Sequence, residues 1–141
     1  MWDANILRHF AEKHPTLQAH LTRVSWSEIA LPSVVMAEVL RGRCEFALKA
    51  TVEQAPFAHQ QLLVTQQLLQ KFHTIPFDHA CAEAMRQLQR TVKTNKRYAD
   101  AMIAATAIAG GHIVVTRNIV DFRDLLSAQQ LANWIDSPPT N

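Results

Sequence analysis

The chain has 141 residues, of which 48% are hydrophobic and 18% are charged, a balance typical of a single globular domain rather than of a disordered chain. Its net charge of +2 is too small to indicate a nucleic-acid partner by itself. No apolar run approaches the roughly 18 residues of a membrane-spanning helix, and there are only two cysteines, so we expect a protein of the reducing cytoplasm without a membrane partner or a disulfide framework.

Apolar residues at helical spacing predict that most of the chain is helical. The expected helices cover residues 6–10, 15–24, 33–42, two stretches of 44–72 that are separated at Pro56, 78–88 and 100–109. Pro15 is placed to begin the second helix, while Ser33 and Asp78 are placed to cap the helices that follow them. Gly110-Gly111 is expected to end the last helix, whose alanines and isoleucines indicate that it is mostly buried.

Short apolar runs between these helices predict strands at residues 28–31, 74–75, 113–116 and 133–135. The alternation of strands and helices indicates an α/β domain with a mainly parallel sheet. In such sheets ligand sites gather at the carboxyl ends of the strands. We expect one domain over residues 1–136 and a flexible tail over residues 137–141.

Four acidic residues lie beside strongly apolar runs, in four separate contexts: Asp3, Glu38, Asp100 and Asp121. An isolated carboxylate is costly to bury there, so these positions call for a compensating charge. We expect Asp3 at the end of a first strand, Asp121 just after the strand at 113–116, and the other two on helices near the same sheet edge. Carboxylates gathered in this way form a hard-oxygen site suited to Mg2+ or Mn2+. Such ions activate water for the hydrolysis of a phosphodiester.

Polar neighbours of these acids are placed to support such a site. The amide of Asn5 could position a carboxylate or a water molecule, and the hydroxyl of Thr116 or the amide of Asn118 could do the same. Each acid also has a simpler interpretation. Asp3 could be a helix N-cap, and Glu38 could reach solvent or pair with Arg41. Asp100 could be a charge favoured by the helix dipole, and Asp121 could cap a turn.

Basic residues without an intervening acid lie between Arg86 and Arg97. Their spacing puts Arg86, Arg90, Lys93 and Arg97 on one helical stripe if the helix continues that far. The stripe is either an ordinary solvated face or a set of contacts to nucleic-acid phosphates.

Other catalytic signatures are missing from the sequence. The seven histidines show no zinc-binding spacing, and the three glycines form no nucleotide-cradling motif. No serine or cysteine has the surroundings of a nucleophile. The acids are therefore the main candidates for chemistry.

Four sequence blocks resemble the PIN-domain family, and within it the VapC-like toxins of bacterial toxin–antitoxin pairs. Asp3-Ala-Asn-Ile-Leu7 is similar to the family's first strand, which ends in Asp-Thr/Ser-Asn, and Glu38-Val-Leu-Arg-Gly42 is similar to its Glu-Leu-x-x-Gly helix. Asp100-Ala-Met-Ile-Ala-Ala-Thr-Ala107 resembles Asp-x-x-Ile-Ala-Ala-x-Ala, and Thr116-Arg-Asn-Ile-Val-Asp-Phe122 resembles Thr-Arg-Asn-x-x-Asp-Phe. The last two blocks are the specific ones, and the order and spacing of all four span nearly the whole chain.

The resemblance implies a three-layer α/β/α sandwich around a mainly parallel sheet of four to five short strands. It also implies a Mg2+- or Mn2+-dependent endoribonuclease that acts as the toxin of such a pair. Its catalytic and metal-binding residues would be Asp3, Glu38, Asp100 and Asp121, helped by Asn5, Thr116 and Asn118. Arg86, Arg90, Lys93 and Arg97 would contact RNA phosphates. Such proteins are usually dimers, and a small antitoxin neutralises them by placing its C-terminal segment in the active-site groove.

Three departures from the family pattern qualify these expectations. Ala4 replaces the usual hydroxyl residue. Some relatives place the fourth acid where Asn118 stands, and here we favour Asp121 with Asn118 assisting. Only Met1 and Trp2 precede Asp3, so we expect a truncated first strand, or a natural start further upstream. The alternative function is a catalytically degenerate PIN domain that binds RNA or an antitoxin partner without cleavage.

Overall fold

Helices make up most of the fold. The computed structural model describes residues 1–140. Within them the helices are α1 (Ala4–Ala11), α2 (Pro15–Leu21), α3 (Ser33–Lys49), α4 (Ala55–Leu69), α5 (His79–Thr91), α6 (Tyr98–Gly110) and α7 (Ile119–Phe122). The strands are β1 (Ala30–Pro32), β2 (His73–Ile75), β3 (Val114–Val115) and β4 (Leu131–Ala132). None of the helices in this part of the chain is long and apolar enough to cross a membrane.

The strands form two parallel pairs, with the N-terminal residues between them. β1 pairs with β2 and β3 pairs with β4, both in parallel register. The N–H of Trp2 donates to Ala30 O (3.0 Å), while the N–H of Asp3 donates to Val115 O (3.2 Å) and the N–H of Val115 to Met1 O (2.8 Å). The order is therefore β2, β1, residues 1–3, β3, β4. The predicted α/β fold with short parallel strands is confirmed, and the first strand is reduced to a parallel bridge between Trp2 and Val115.

Two predicted helix boundaries are wrong at α3. The helix does not end near Gly42 but continues to Lys49, because packing against α4 outweighs the roughly 1 kcal/mol that a helical glycine costs. Ser33 is its first residue rather than its cap; the Ser33 hydroxyl instead accepts a hydrogen bond from the N–H of Phe77 (3.2 Å). This hydrogen bond joins the start of α3 to the segment that connects β2 with α5.

The predicted last strand at residues 133–135 is also wrong, since β4 lies earlier, at Leu131–Ala132. The side-chain oxygen of Asn133 accepts hydrogen bonds from the N–H groups of Ile135 (2.9 Å) and Asp136 (3.0 Å). Asparagine favours such a turn over an extended strand because its amide can satisfy the backbone locally.

The predicted single stripe of basic residues is wrong as well. Helix α5 ends at Thr91, and Val92 is extended with φ −130° and ψ 140°. Lys93 and Arg97 therefore lie outside that helix. The Thr91 hydroxyl donates to Leu88 O (3.1 Å), a local bond that helps the helix to end there.

Two helix ends follow the sequence pattern. Asp78 caps α5 by accepting a hydrogen bond from the N–H of Cys81 (2.9 Å). Gly111 ends α6 with a positive φ of 64°, which only glycine adopts without strain.

Trp2 is the centre of an aromatic cluster in the core. It is 1% exposed, and its ring centroid lies 5.5 Å from that of Phe10, 5.4 Å from Phe72 and 6.4 Å from Trp26. The alanine-rich helix α6 was predicted to be mostly buried, and it is buried in its middle, at Ala101 and from Ile103 to Ala107, whereas its last turn is exposed.

Ser137 and Thr140 contact α2 and the turn after it. The carbonyl oxygens of Ser137 and Thr140 accept hydrogen bonds from His20 (2.7 Å) and Arg23 (2.6 Å). The last residue of the expected tail, Asn141, lies outside the described residues.

Candidate active site

An open cleft of about 350 Å³ brings three of the four predicted acids together. Asp3 comes from the N-terminal segment, Glu38 from α3 and Asp100 from the first turn of α6. The other residues that line the cleft are Ala4, Asn5, Arg8, Ile103 and Asn118. The convergence is long-range, since the three acids come from elements far apart in the sequence.

Asp3 is the most rigidly held of these acids. It is 6% exposed. One carboxylate oxygen, Oδ1, accepts a hydrogen bond from the N–H of Ile6 (3.0 Å), so Asp3 caps α1. The other, Oδ2, accepts from the hydroxyl of Thr116 (2.6 Å), which itself accepts from the N–H of Asn118 (2.9 Å). Burial raises the pKa of Asp3, and these hydrogen bonds oppose the rise by favouring the ionised form.

Glu38 and Asp100 are half-buried, and the pKa of each is raised by burial and by neighbouring acids. Burial raises the pKa of Glu38, and the charges of Asp100 and Asp3 raise it further, while Arg41 lowers it. Burial also raises the pKa of Asp100, with added contributions from Asp121 and Asp3. Carboxylates whose pKa values are raised by burial and by mutual repulsion, in spite of neighbouring arginines, are typical of sites that bind a cation.

Asn118 and Asp121 are the two candidates for the fourth position of the acidic site. Asn118 lines the cleft, whereas Asp121 is exposed on α7 and is not among the lining residues. Asp121 is nevertheless close enough for its charge to raise the pKa of Asp100. The N–H of Asp121 donates to Asn118 O (3.0 Å), so the two residues share one turn.

The lining suits a hard divalent cation by its chemistry. It offers carboxylate and amide oxygens, and the side-chain oxygen of Asn5 is buried without a hydrogen-bond partner. Among the described residues, no three His, Cys, Asp or Glu side chains stand close enough together to hold an ion as placed. The donors therefore fit such an ion, and the carboxylates would need to draw together around it.

A family model of the PIN domain matches residues 1–125. The chain belongs to the PIN-domain family. A comparison with curated proteins finds no match.

Solved structures similar to this PIN domain extend over nearly the whole chain. FitAcB from Neisseria gonorrhoeae is 25% identical and covers 96% of this chain and 98% of its own, with a TM-score of 0.73. A toxin-antitoxin complex from Klebsiella pneumoniae is 21% identical, covers 94% and 95%, and has a TM-score of 0.66. VapBC2 from Rickettsia felis, bound to a DNA fragment from its promoter, is 24% identical, covers 95% and 97%, and has a TM-score of 0.63. The last two likenesses support the fold alone.

Arg97 lies beside the PIN-domain cleft. It forms an ion pair there, whereas its sequence position suggests a place in a stripe of basic residues. Its two terminal nitrogens, Nη1 and Nη2, pair with the carboxylate of Asp124, and Nη1 also donates to the backbone oxygen of Asp121 (3.1 Å). Its charge lowers the pKa of Asp100. Arg97 therefore ties the start of α6 to the turn that carries Asp121.

The other predicted phosphate-contacting residues lie elsewhere on α5 and the loop after it. Arg86 pairs with Glu83 on the same helix (2.5 Å). Arg90 and Lys93 line a separate hollow of about 470 Å³ formed by residues 89–95.

Arg8 is the cleft residue that sequence reasoning missed. It follows Ala4 and Asn5 by about one turn of α1, so the three share a helix face. That spacing from Asn5 is the signal that could have identified it.

Replacement of Thr116 by valine tests how Asp3 is held. Thr116→Val keeps the shape of the side chain but removes the donor to Asp3 and leaves the N–H of Asn118 without its acceptor. We expect the free energy of unfolding in urea to fall by about 1–3 kcal/mol, together with a further rise in the pKa of Asp3.

Thr106→Val is the matched control. Thr106 is 1% exposed and Thr116 is 0% exposed, but the Thr106 hydroxyl donates only to Met102 O of its own helix (2.8 Å). We expect a smaller loss for this variant. Equal losses in the two variants would mean that the Thr116–Asp3 bond contributes nothing specific.

Proposed function

We propose that this PIN domain is a Mg2+- or Mn2+-dependent endoribonuclease and the toxin of a toxin–antitoxin pair. The observation that carries the proposal is the convergence of Asp3, Glu38 and Asp100 in one cleft, where burial raises the pKa of each and repulsion adds to it for Glu38 and Asp100. Membership of the PIN family supports hydrolysis of a phosphodiester as the chemistry.

Asp3, Glu38 and Asp100 would hold the ion, with Asp121 completing the set and Asn118 assisting. A bound divalent ion would supply a Lewis acid and lower the pKa of a water molecule. Thr116 and the N–H of Ile6 keep Asp3 in one orientation, and the free oxygen of Asn5 is available to orient a water molecule or the substrate. Water would attack the phosphorus as the bond to the leaving oxygen of the RNA breaks.

An antitoxin is the proposed protein partner. The Klebsiella structure is a toxin-antitoxin complex, and this chain carries an apolar channel of about 420 Å³ between α1, α3 and α4 that shares Ala4 and Arg8 with the cleft. A peptide segment seated in the channel would reach the cleft and block it. Homodimer formation is proposed from the family resemblance.

Contacts between RNA phosphates and the basic residues of α5 and its following loop also remain a proposal. Arg90 and Lys93 favour it most, because they have no ion pair among the described residues and line the same hollow.

A second function is favoured by two observations. Ala4 lacks the hydroxyl that is usual in the family, and the first strand is reduced to a bridge between Trp2 and Val115. A domain that binds RNA or an antitoxin without cleavage would have both features.

Metal removal separates the two functions. We expect wild-type protein to cleave single-stranded RNA with added Mg2+ or Mn2+ and to stop when a chelator is in excess. Absence of cleavage with either metal, together with retained RNA binding, would favour the degenerate domain.

The dependence of metal binding on pH is tested separately, by thermal unfolding. Since the pKa values of Asp3, Glu38 and Asp100 are raised on folding, these groups contribute stability below the ordinary carboxyl pKa and lose it as the pH rises through their raised values. A bound cation favours the ionised carboxylates and opposes that loss. We therefore expect Mn2+ to raise Tm increasingly between about pH 4 and pH 7; a shift that is independent of pH would contradict carboxylate ligands.

A further inference from the structure

Arg8 is the one basic residue among those that line the acidic cleft. It is exposed on α1, on the face that also carries Ala4 and Asn5. The same side chain borders the apolar channel beside the cleft. Arg8 therefore lies where the cleft and the channel meet.

Within the described residues, Arg8 forms no ion pair. Its guanidinium takes part in none of the ion pairs or hydrogen bonds of this part of the chain. The cations that lower the pKa values of Glu38 and Asp100 are Arg41 and Arg97, and Arg8 is not among them.

The one resolved effect of Arg8 is unfavourable. It lowers the pKa of the buried His9, after burial itself, because it disfavours a second positive charge on the same helix. An exposed arginine that forms no ion pair within the described part of the fold has its charge available for an anionic ligand at the edge of the cleft.

We propose that Arg8 binds the two non-bridging oxygens of one RNA phosphate, on the nucleotide next to the one that is cleaved. This inference rests on the proposed nuclease function and names a residue that would bind its substrate. RNA must approach three carboxylates, which repel it, and a guanidinium at the edge of the cleft offsets that repulsion. The planar guanidinium matches two phosphate oxygens at once, which a lysine ammonium does not.

RNA binding in excess chelator tests the proposal without any contribution from turnover. A labelled single-stranded oligoribonucleotide is titrated against wild type, Arg8→Ala and Arg8→Lys at several salt concentrations. We expect Arg8→Ala to weaken binding roughly tenfold and to reduce the slope of log K against log salt by about 0.7, the value for one phosphate contact on a single strand. Arg8→Lys should keep most of the slope and recover only part of the affinity. In the presence of Mn2+, Arg8→Ala should raise KM for RNA more than it lowers kcat.

Lys49→Ala is the control, because it removes one exposed charge at the end of α3, outside both the cleft and the channel. It should change neither the affinity nor the slope. Misfolding is not expected in Arg8→Ala, since alanine is the better helix former at an exposed position.

The outcomes distinguish this inference from the proposed function. Wild-type cleavage with unchanged KM, affinity and salt slope in Arg8→Ala overturns the role of Arg8 and leaves the nuclease intact. A lower Tm with unchanged RNA affinity in that variant also overturns it, because Arg8 would then act only within the fold. Lack of cleavage by wild type, combined with a loss of RNA affinity in Arg8→Ala, removes the nuclease function and retains the phosphate contact.

Discussion

Asp100→Asn is expected to reduce metal-dependent RNA cleavage by at least roughly a hundredfold while leaving the free protein as stable as wild type or more so. The variant removes one of the three carboxylates that line the cleft and keeps the volume of the side chain. It also removes a charge that raises the pKa of Glu38. Because the repulsion opposes folding of the metal-free protein, its loss favours the folded state, a trade of stability against function.

Two measurements on one preparation check this expectation. The rate of cleavage is followed with saturating Mn2+, and Tm is recorded with Mn2+ and with chelator. In Asp100→Asn we expect the rate and the Mn2+-induced rise in Tm to disappear together, while Tm in chelator is unchanged or higher.

Glu45→Gln is the control for the change of charge, since Glu45 lies exposed on α3, outside the cleft. It should behave as wild type in both measurements. Asp3→Asn should also lose cleavage, although it keeps an oxygen that can cap α1. If both Asp3→Asn and Asp100→Asn cleave RNA at the wild-type rate, the carboxylate site proposed here is wrong.

The parts of the fold that local chemistry determines could be predicted from the sequence. Beyond its first turn helix α6 is apolar on all sides, and it ends at Gly111, where a positive φ is required, so the burial of its middle and the position of its end follow from its own residues. Asp78 caps α5 through a hydrogen bond within its own turn. The short parallel strands follow from apolar runs between helices.

The boundaries that depend on tertiary contacts could not be predicted in this way. Gly42 suggests a helix end, but α3 continues past it because α4 packs alongside. The expected basic stripe fails at Val92, and Arg97 turns to Asp124 instead of to solvent. No periodicity in the sequence signals that pair, since its partners lie on different elements.

The residues of the candidate site also divide into those that the local sequence identifies and those that depend on tertiary contacts. Each acid was chosen from its local context, and the convergence of Asp3, Glu38 and Asp100 follows from the sheet edge that parallel strands create. Whether Asn118 or Asp121 faces the cleft depends on the conformation of the turn that carries both residues. The sequence does not determine that conformation. Arg8 was missed because an exposed arginine on a helix resembles any solvated charge until the cleft is known.

Trp2→Ala is expected to lower the free energy of unfolding by about 3–5 kcal/mol, since it empties the centre of the aromatic cluster. Trp2 is 1% exposed and contacts the rings of Phe10 and Phe72. Trp26→Ala removes a side chain of the same kind from the same cluster, but Trp26 is 42% exposed, so its loss should be smaller. Urea denaturation of both variants measures the difference, and similar losses would show that burial at Trp2 is not the source of its stability.

Trp2→Phe separates the packing of Trp2 from its effect on the site. Phenylalanine keeps a ring in the cluster and removes the indole N–H, which is buried without an acceptor, so we expect a loss of only about 1 kcal/mol. The first strand is reduced to a bridge at Trp2, so the position of Asp3 depends on this ring and on the backbone bonds to Ala30 and Val115. Cleavage should therefore stay near the wild-type rate in Trp2→Phe. It should fall in Trp2→Ala even at temperatures where that variant remains folded, because the backbone that presents Asp3 loses its anchor.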